Sequence, residues 1–236
     1  MGTAFTPLMR FAKKSTGTGA GELPADNGEV GAALLHALDL PLNALRASME
    51  ALLAELEGKA AGRTLPHVLN EVRLLERNVR DLIAFTTPST PSPLRCTLDE
   101  ITQSAREELP SSLRGRVVQA RHDHGARLFV DGPMVSRCLR RLIENALEAG
   151  SQNVLLISKR DREGASFTVV DTAPEFLEAD WALQAFRSKR SNHLGLGLPL
   201  VQRDVSIMGG DLTMTVTPFG STCIEVRVPE VSGVRG

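Results

Sequence analysis

Two runs of large apolar residues, each spaced in alternating steps of three and four, constrain this chain more than any other feature. Leu35, Leu38, Leu42, Leu45, Met49, Leu52 and Leu56 make the first; Leu65, Val68, Val72, Leu75, Val79 and Leu82 make the second. Such steps return to the same side of a helix, so each run is one apolar stripe. Between them, Gly58 and Gly62 interrupt the seam. Two striped helices joined by so short a loop fold back on each other as an antiparallel hairpin. One hairpin cannot cover both of its stripes, and the pattern therefore predicts a homodimer, two copies forming a four-helix bundle.

The rest of the chain organises around that hairpin. Residues 1–27 are rich in Gly, Thr, Ala and Pro and read as a disordered N-terminal segment, which places the hairpin at 28–86. The run Thr86-Thr87-Pro88-Ser89-Thr90-Pro91-Ser92-Pro93 ends it, and 87–95 read as a linker. A second domain is expected over 96–230, with 231–236 as a tail. Thr97-Leu98-Asp99-Glu100 has the order of a capping box and opens a helix to about residue 109. Strands are expected at 116–120, 127–130, 153–158, 166–171, 212–217 and 222–228. Helices are expected from Asp131-Gly132-Pro133 to 149, burying Val135, Leu139, Leu142 and Ala146, and over 198–208, ended by Gly209-Gly210. The fold class is thus α+β: a helical hairpin, then an α/β sandwich with a mostly antiparallel sheet under three helices.

Composition removes several classes of function. With 236 residues, 42 % of them apolar, the chain fills one or two real cores. A net charge of −1 supplies no basic field for nucleic acid or an anionic membrane. No apolar stretch is long enough for a conventional membrane-spanning helix. Cys96, Cys138 and Cys223 are far apart and lack metal-ligand spacing, so they read as reduced thiols. The basic start, Met1 to Lys14, has no sustained apolar core, and a cytoplasmic location is expected.

A small set of residues carries chemistry. His36 falls off the apolar stripe, one turn before Pro41. A proline within a helix removes a backbone hydrogen bond and kinks the axis, at a cost of about 3 kcal/mol. His36 reads either as a solvent-facing helical histidine or as a reactive imidazole displayed beside that bend. Asn145, between Leu142 and Ala146, sits at the polar edge of its helix, as a surface Asn or as an oxygen donor to a Mg²⁺ ion carried by phosphates. Asp171 closes an apolar strand, where a carboxylate commonly caps a turn. Lys189 belongs to a basic loop that is either simply solvated or anion-facing. Gly195-Leu196-Gly197-Leu198 is a Gly-x-Gly turn entering an apolar helix, which lets backbone N–H groups approach phosphates without Cβ obstruction. Thr222 follows Gly220-Ser221 at a hairpin turn.

In that chain order these residues resemble the sensor histidine kinases, whose ATP-binding domain is shared with gyrase-like proteins. The resemblance covers about residues 30–230 and implies a gyrase/histidine-kinase type α/β sandwich behind the hairpin. His36-Ala37-Leu38-Asp39-Leu40-Pro41-Leu42 resembles the phosphoacceptor box, which implies that His36 takes the γ-phosphoryl group of ATP and passes it to a response-regulator aspartate. The same resemblance implies that Asn145 holds Mg²⁺ and that Asp171 accepts a hydrogen bond from the adenine amino group. It further implies that Lys189 lies in a lid over ATP, that Gly195, Gly197 and Leu198 meet the phosphates, and that Thr222 sits beside adenine. A separate sensory partner is expected, because no sensory module is recognisable.

Several positions depart from the family pattern. Ala37 stands where an acidic residue is usual and Leu40 where Thr or Asn is usual; Arg141 stands where a second Asn is usual. Ala173, Glu175 and His193 each replace a glycine. Of these, Ala37, Ala173, Glu175 and His193 favour the alternative, a pseudokinase or dimeric histidine phosphotransfer adaptor without ATP turnover. A serine kinase of the anti-sigma type is a third reading, against which the striped hairpin counts.

Overall fold

The computed structural model describes residues 43–45, 47–48, 50–52, 64–86, 89–121, 125, 127–160, 162–172, 182–189, 193–217 and 220–231. His36 and Pro41, with Ala173 and Glu175, lie outside them. The described residues form two compact units, one from 89–172 and 201–231 and the other from 43–86 and 182–200.

The first unit contains seven strands: β1 (Leu94–Thr97), β2 (Val117–Arg121), β3 (Arg127–Val130), β4 (Val154–Arg160), β5 (Gly164–Asp171), β6 (Asp211–Val216) and β7 (Thr222–Pro229). Five of them form one sheet in the order β2-β4-β5-β7-β6; β1 and β3 pair separately as an antiparallel ribbon. The sheet is mixed. β2 and β4 run parallel because a helix crosses between them, whereas β4, β5, β7 and β6 are antiparallel neighbours. The ribbon strand β1 has no periodic signal in four residues, and its pairing with β3 across some thirty residues of sequence creates it.

Alternation along the strands sets the core. Val154 and Leu156 of β4, Ala165, Phe167 and Val169 of β5, and Ile224, Val226 and Val228 of β7 are all buried. Against them packs α4 (Gly132–Glu148), which buries Met134, Val135, Cys138, Leu139, Leu142, Ile143, Ala146 and Leu147. The expected set Val135, Leu139, Leu142 and Ala146 is wholly inside it. Each fully buried Leu or Phe contributes about 1.5–3 kcal/mol relative to exposure. Helix α2 (Leu98–Glu107) lies beside α4, buried through Leu98, Ile101 and Ala105, and the buried Ser136 hydroxyl donates to the Ile101 carbonyl at 2.9 Å. A single turn, α3 (Ser111–Arg114), follows it.

Both helix starts carry the caps their sequences call for. Thr97 Oγ1 accepts from the Glu100 amide at 3.1 Å while Glu100 Oε2 accepts from the Thr97 amide at 2.7 Å, the reciprocal box. Asp131 Oδ1 accepts from the Met134 amide and Oδ2 from the Ser92 amide, both at 2.8 Å. The α4 cap therefore also anchors the chain that enters the unit.

The second unit holds helical residues within 43–52, the helix α1 (Thr64–Thr86), and residues up to the first turn of α5 (Gly197–Ile207). Of the second seam, which falls on α1, Val79 is 39 % exposed, and Ile83 next to its last member is 57 % exposed. Glu71 and Asn78, seven residues apart on that helix, are buried instead, as is Ser48. No helix among the described residues is long and apolar enough to cross a membrane.

Candidate functional site

Asp171 is positioned by two elements. It is the last residue of β5, and in the sheet register it stands opposite Thr222, the first residue of β7. Both are 6 % exposed. The carboxylate is held from a third direction by Ser151, whose hydroxyl donates to Asp171 Oδ1 at 3.3 Å and accepts from the Thr172 amide at 3.2 Å. Ser151 reaches this place because α4 ends abruptly. Gly150 adopts φ +100°, the left-handed conformation that favours glycine, and the Ser151 amide bonds back to the Ala146 carbonyl at 3.2 Å. Arg116 then fixes the segment, donating from Nη2 to the Ser151 carbonyl and from Nε to the Gln152 carbonyl. Sequence reasoning missed Ser151. Its one local signal is a glycine-terminated helix followed at once by a small polar residue.

Asn145 stands about one turn before that end, half-buried, its carbonyl accepting from the Ala149 amide at 2.9 Å. Arg141 occupies the preceding turn on the same face and is only 8 % exposed, so it is not a solvated side chain. Asn145, Asp171 and Thr222 thus belong to one unit, with Ser151 linking the end of the Asn145 helix to Asp171.

The thiols report on the local field. Burial pushes Cys138 of α4 up to about 12, with Asp204 adding to the effect and Arg141 and Arg137 opposing it. Burial also raises Cys223, next to Thr222, and the Asp171 charge raises it further. Cys96 is raised by burial and by Glu100. All three cysteines are free.

The glycine segment lies in the second unit. Gly195 has φ +68°, and a Cβ built on it would strike the Arg187 carbonyl and backbone. Glycine is therefore required there for close backbone approach as well as for conformation. Gly197 and Leu198 open α5, with the Leu200 amide closing the first turn on the Leu196 carbonyl at 2.9 Å. Their amides belong to the unpaired set of a helix start, whereas Pro199 has none. Leu194, Leu196 and Leu200 are buried in a cluster with Leu82, Ala84, Phe85, Ala185 and Phe186. The Phe85 and Phe186 rings meet edge-to-face with centroids 5.5 Å apart. Phe186 has φ +62°, an unfavourable value for a bulky residue that the ring packing sustains. Lys189, between these features, is exposed.

The Asn145 face can offer a divalent cation a single amide oxygen, so a Mg²⁺ ion there would take the rest of its shell from phosphate oxygens and water. Mg²⁺ takes hard oxygen donors in a near-octahedral shell. This helix face offers one neutral amide oxygen beside the buried Arg141 guanidinium. Glu144 is paired with Arg140 at 2.9 Å, and Glu148 is engaged within the protein. No group of three or more His, Cys, Asp or Glu is placed to hold a metal among the described residues.

A sheet whose helix-covered face ends in a buried Asp–Thr pair, beside a helix bearing Asn at its polar edge, defines a class. Residues 130–232 match the family model for the histidine kinase-, DNA gyrase B-, and HSP90-like ATPase, so this stretch is an ATP-binding domain of that family. More particularly, the chain is similar over most of its length to sensor histidine kinases. It is 29 % identical over 214 residues to the sensor protein KdpD of Escherichia coli (strain K12), covering 84 % of this chain and 24 % of KdpD. Among solved structures, the Acinetobacter baumannii histidine kinase AdeS aligns with a TM-score of 0.65 at 16 % identity, over 83 % of this chain and 98 % of AdeS. Histidine kinase ThkA, solved in complex with the response regulator TrrA, aligns with a TM-score of 0.69 at 16 % identity, over 86 % of this chain and 62 % of ThkA. These two likenesses establish the shared fold. The chain spans a quarter to a half of the length of the first curated relatives it matches (24 %, 34 % and 51 %).

Proposed function

We propose that this chain is a two-component histidine kinase that autophosphorylates on His36 and passes the phosphoryl group to a response-regulator aspartate. The observation that carries the reading is the buried Asp171–Ser151–Thr222 cluster within a domain of an ATP-binding family. On this reading Asp171 accepts the adenine amino N–H, Thr222 flanks the base, and Asn145 hydrogen-bonds toward the phosphates. The same reading assigns phosphate contacts to Lys189, Gly195, Gly197 and Leu198, through an ammonium group and through helix-start amides.

Two displacements make up the chemistry. A neutral imidazole nitrogen of His36 attacks the γ-phosphorus; the P–N bond forms, the bond to the β,γ-bridging oxygen breaks, and ADP leaves. A regulator carboxylate oxygen then attacks the phosphorus, the P–N bond breaks, and the imidazole is restored. Phosphoryl transfer of this kind depends on positioning and on charge stabilisation more than on new covalent machinery.

The exposed Val79 and Ile83 support a homodimer through the hairpin, because a second copy would remove that apolar surface from water. A regulator partner follows by analogy with the ThkA complex, and we place the protein in the cytoplasm. The test is incubation of the purified chain with γ-labelled ATP, beside His36→Ala and Asp171→Asn. Acid-labile, alkali-stable label that both substitutions abolish is the expected result. Absence of label from the wild-type chain, or its persistence in His36→Ala, refutes the assignment.

A further inference from the structure

The turn that carries Ser151 is fastened from outside the nucleotide contacts. Arg116, one residue before β2, meets the segment between α4 and β4 through three hydrogen bonds. Its carbonyl accepts from the Val154 amide at 2.9 Å, its Nε donates to the Gln152 carbonyl at 2.7 Å, and its Nη2 donates to the Ser151 carbonyl. The first of these leads into the parallel pairing of β2 with β4, where Val117 stands opposite Val154, so the sheet places Arg116 against the turn. Arg116 is held in its own segment by its amide, which donates to the Leu113 carbonyl of α3 at 3.0 Å. From the helix side, the left-handed Gly150 and the Ser151 amide, bonded to the Ala146 carbonyl at 3.2 Å, complete the attachment.

A guanidinium can hold two successive carbonyls because its donors leave a rigid plane in set directions. The carbonyls of Ser151 and Gln152 belong to the two peptide planes that follow the Ser151 Cα, while the bond to Ala146 fixes the plane before it. With the planes on both sides held, the direction in which the Ser151 side chain leaves the backbone is set. That direction has little slack. Ser151 Oγ reaches Asp171 Oδ1 at 3.3 Å and the Thr172 amide at 3.2 Å, both long for a hydrogen bond, so a further shift of a few tenths of an ångström loses them. Asp171 is engaged elsewhere within the protein as well, and what Ser151 adds is the orientation of Oδ1.

We propose that Arg116 is a positioning residue for base recognition: by clamping the turn between α4 and β4 it holds the Ser151 hydroxyl on Asp171, and so sets the preference of the site for adenine over guanine nucleotides. This rests on the nucleotide reading above and adds to it a residue outside the assigned contacts. A fixed carboxylate oxygen accepts from the adenine amino group and repels the carbonyl that guanine carries in its place. A carboxylate that can turn meets the amino group in no single geometry and discriminates less.

The experiment is a double-substitution cycle on the full chain: ATP and GTP are titrated by calorimetry into the wild type, Arg116→Ala, Ser151→Ala and the combined variant, with a thermal melt of each. Arg116→Ala should lower the ATP-over-GTP preference about three- to tenfold, the effect of losing one hydrogen bond, and the combined variant should lose no more than Ser151→Ala alone. Arg116→Lys keeps the charge without the fork and should lose the preference as Arg116→Ala does. A clamp that serves only stability gives a lower Tm with the preference kept, or losses that add in the combined variant. Either result overturns the proposal and leaves the nucleotide reading standing, as does a wild type that binds ATP and GTP equally. If a variant bearing Arg116→Ala does not fold, the same cycle is read with Arg116→Lys. A wild-type chain that binds neither nucleotide overturns both.

Discussion

Removing the Ser151 hydroxyl tests the geometry of the site most directly. Ser151 is 1 % exposed and its Oγ serves two groups, donating to Asp171 Oδ1 at 3.3 Å and accepting from the Thr172 amide at 3.2 Å. Ser151→Ala leaves a buried carboxylate oxygen short of a donor and a backbone N–H short of an acceptor. A buried polar group stripped of its partner costs about 1–3 kcal/mol, and the long distances argue for the lower half of that range per bond. We therefore expect a loss of about 2–3 kcal/mol, read as a fall in Tm of roughly 4–12 °C for a domain of this size. The functional readout is separate. A carboxylate released from Ser151 no longer presents a fixed acceptor to an adenine amino group, so ATP affinity should fall about tenfold while discrimination against GTP narrows. Scanning calorimetry measures the first effect and nucleotide titration the second. A Tm within about 1 °C of wild type, together with unchanged ATP-over-GTP preference, refutes the claim that Ser151 orients Asp171.

Other outcomes follow from the same structure. Gly195→Ala should destabilise the chain by more than about 1–2 kcal/mol, because the left-handed backbone disfavours a Cβ that would also strike the Arg187 carbonyl; denaturant titration measures it. Phe85→Ala removes the ring that packs on Phe186 and should cost about 3–5 kcal/mol at most, less by the fraction of the ring already exposed, with faster proteolysis within residues 182–189 as the local readout. Thr97→Ala breaks the reciprocal cap of α2 and should cost about 1 kcal/mol in a thermal melt. For Cys138, the folded pKa of about 12 lies above the ordinary thiol value of 9.0, so the native state holds the thiol proton more tightly than the unfolded chain. Its contribution to stability is complete below pH 9 and is lost as pH climbs from 9 towards 12, at up to about 1.4 kcal/mol per pH unit. Denaturation across that window, compared with Cys138→Ala, shows the slope, and alkylation of the native protein at pH 8 should spare Cys138.

Much of the ATP-binding domain is legible in the sequence. The α4 core set, the Thr97 and Asp131 helix starts, and the strand pairs that close the chain all rest on interactions between residues a few positions apart. Caps and periodic stripes are local physics, and local physics is written in adjacent letters. Asn145, Asp171 and Thr222 are named through the family resemblance, at strand ends and a helix edge where polar side chains interrupt apolar periods.

What sequence could not supply was every contact made at long range. β1 exists only because β3 lies beside it; the parallel pairing of β2 with β4 depends on the crossover of α4; and Ser151 matters only because the end of that helix delivers it to Asp171. Arg141 is the sharpest instance. Its letter says cation and surface, while the packed helix encloses it and so makes its charge consequential. Periodicity and caps are decided within a turn or a strand; enclosure and cross-strand partners are decided by which distant elements share a core, and only the folded chain holds that information.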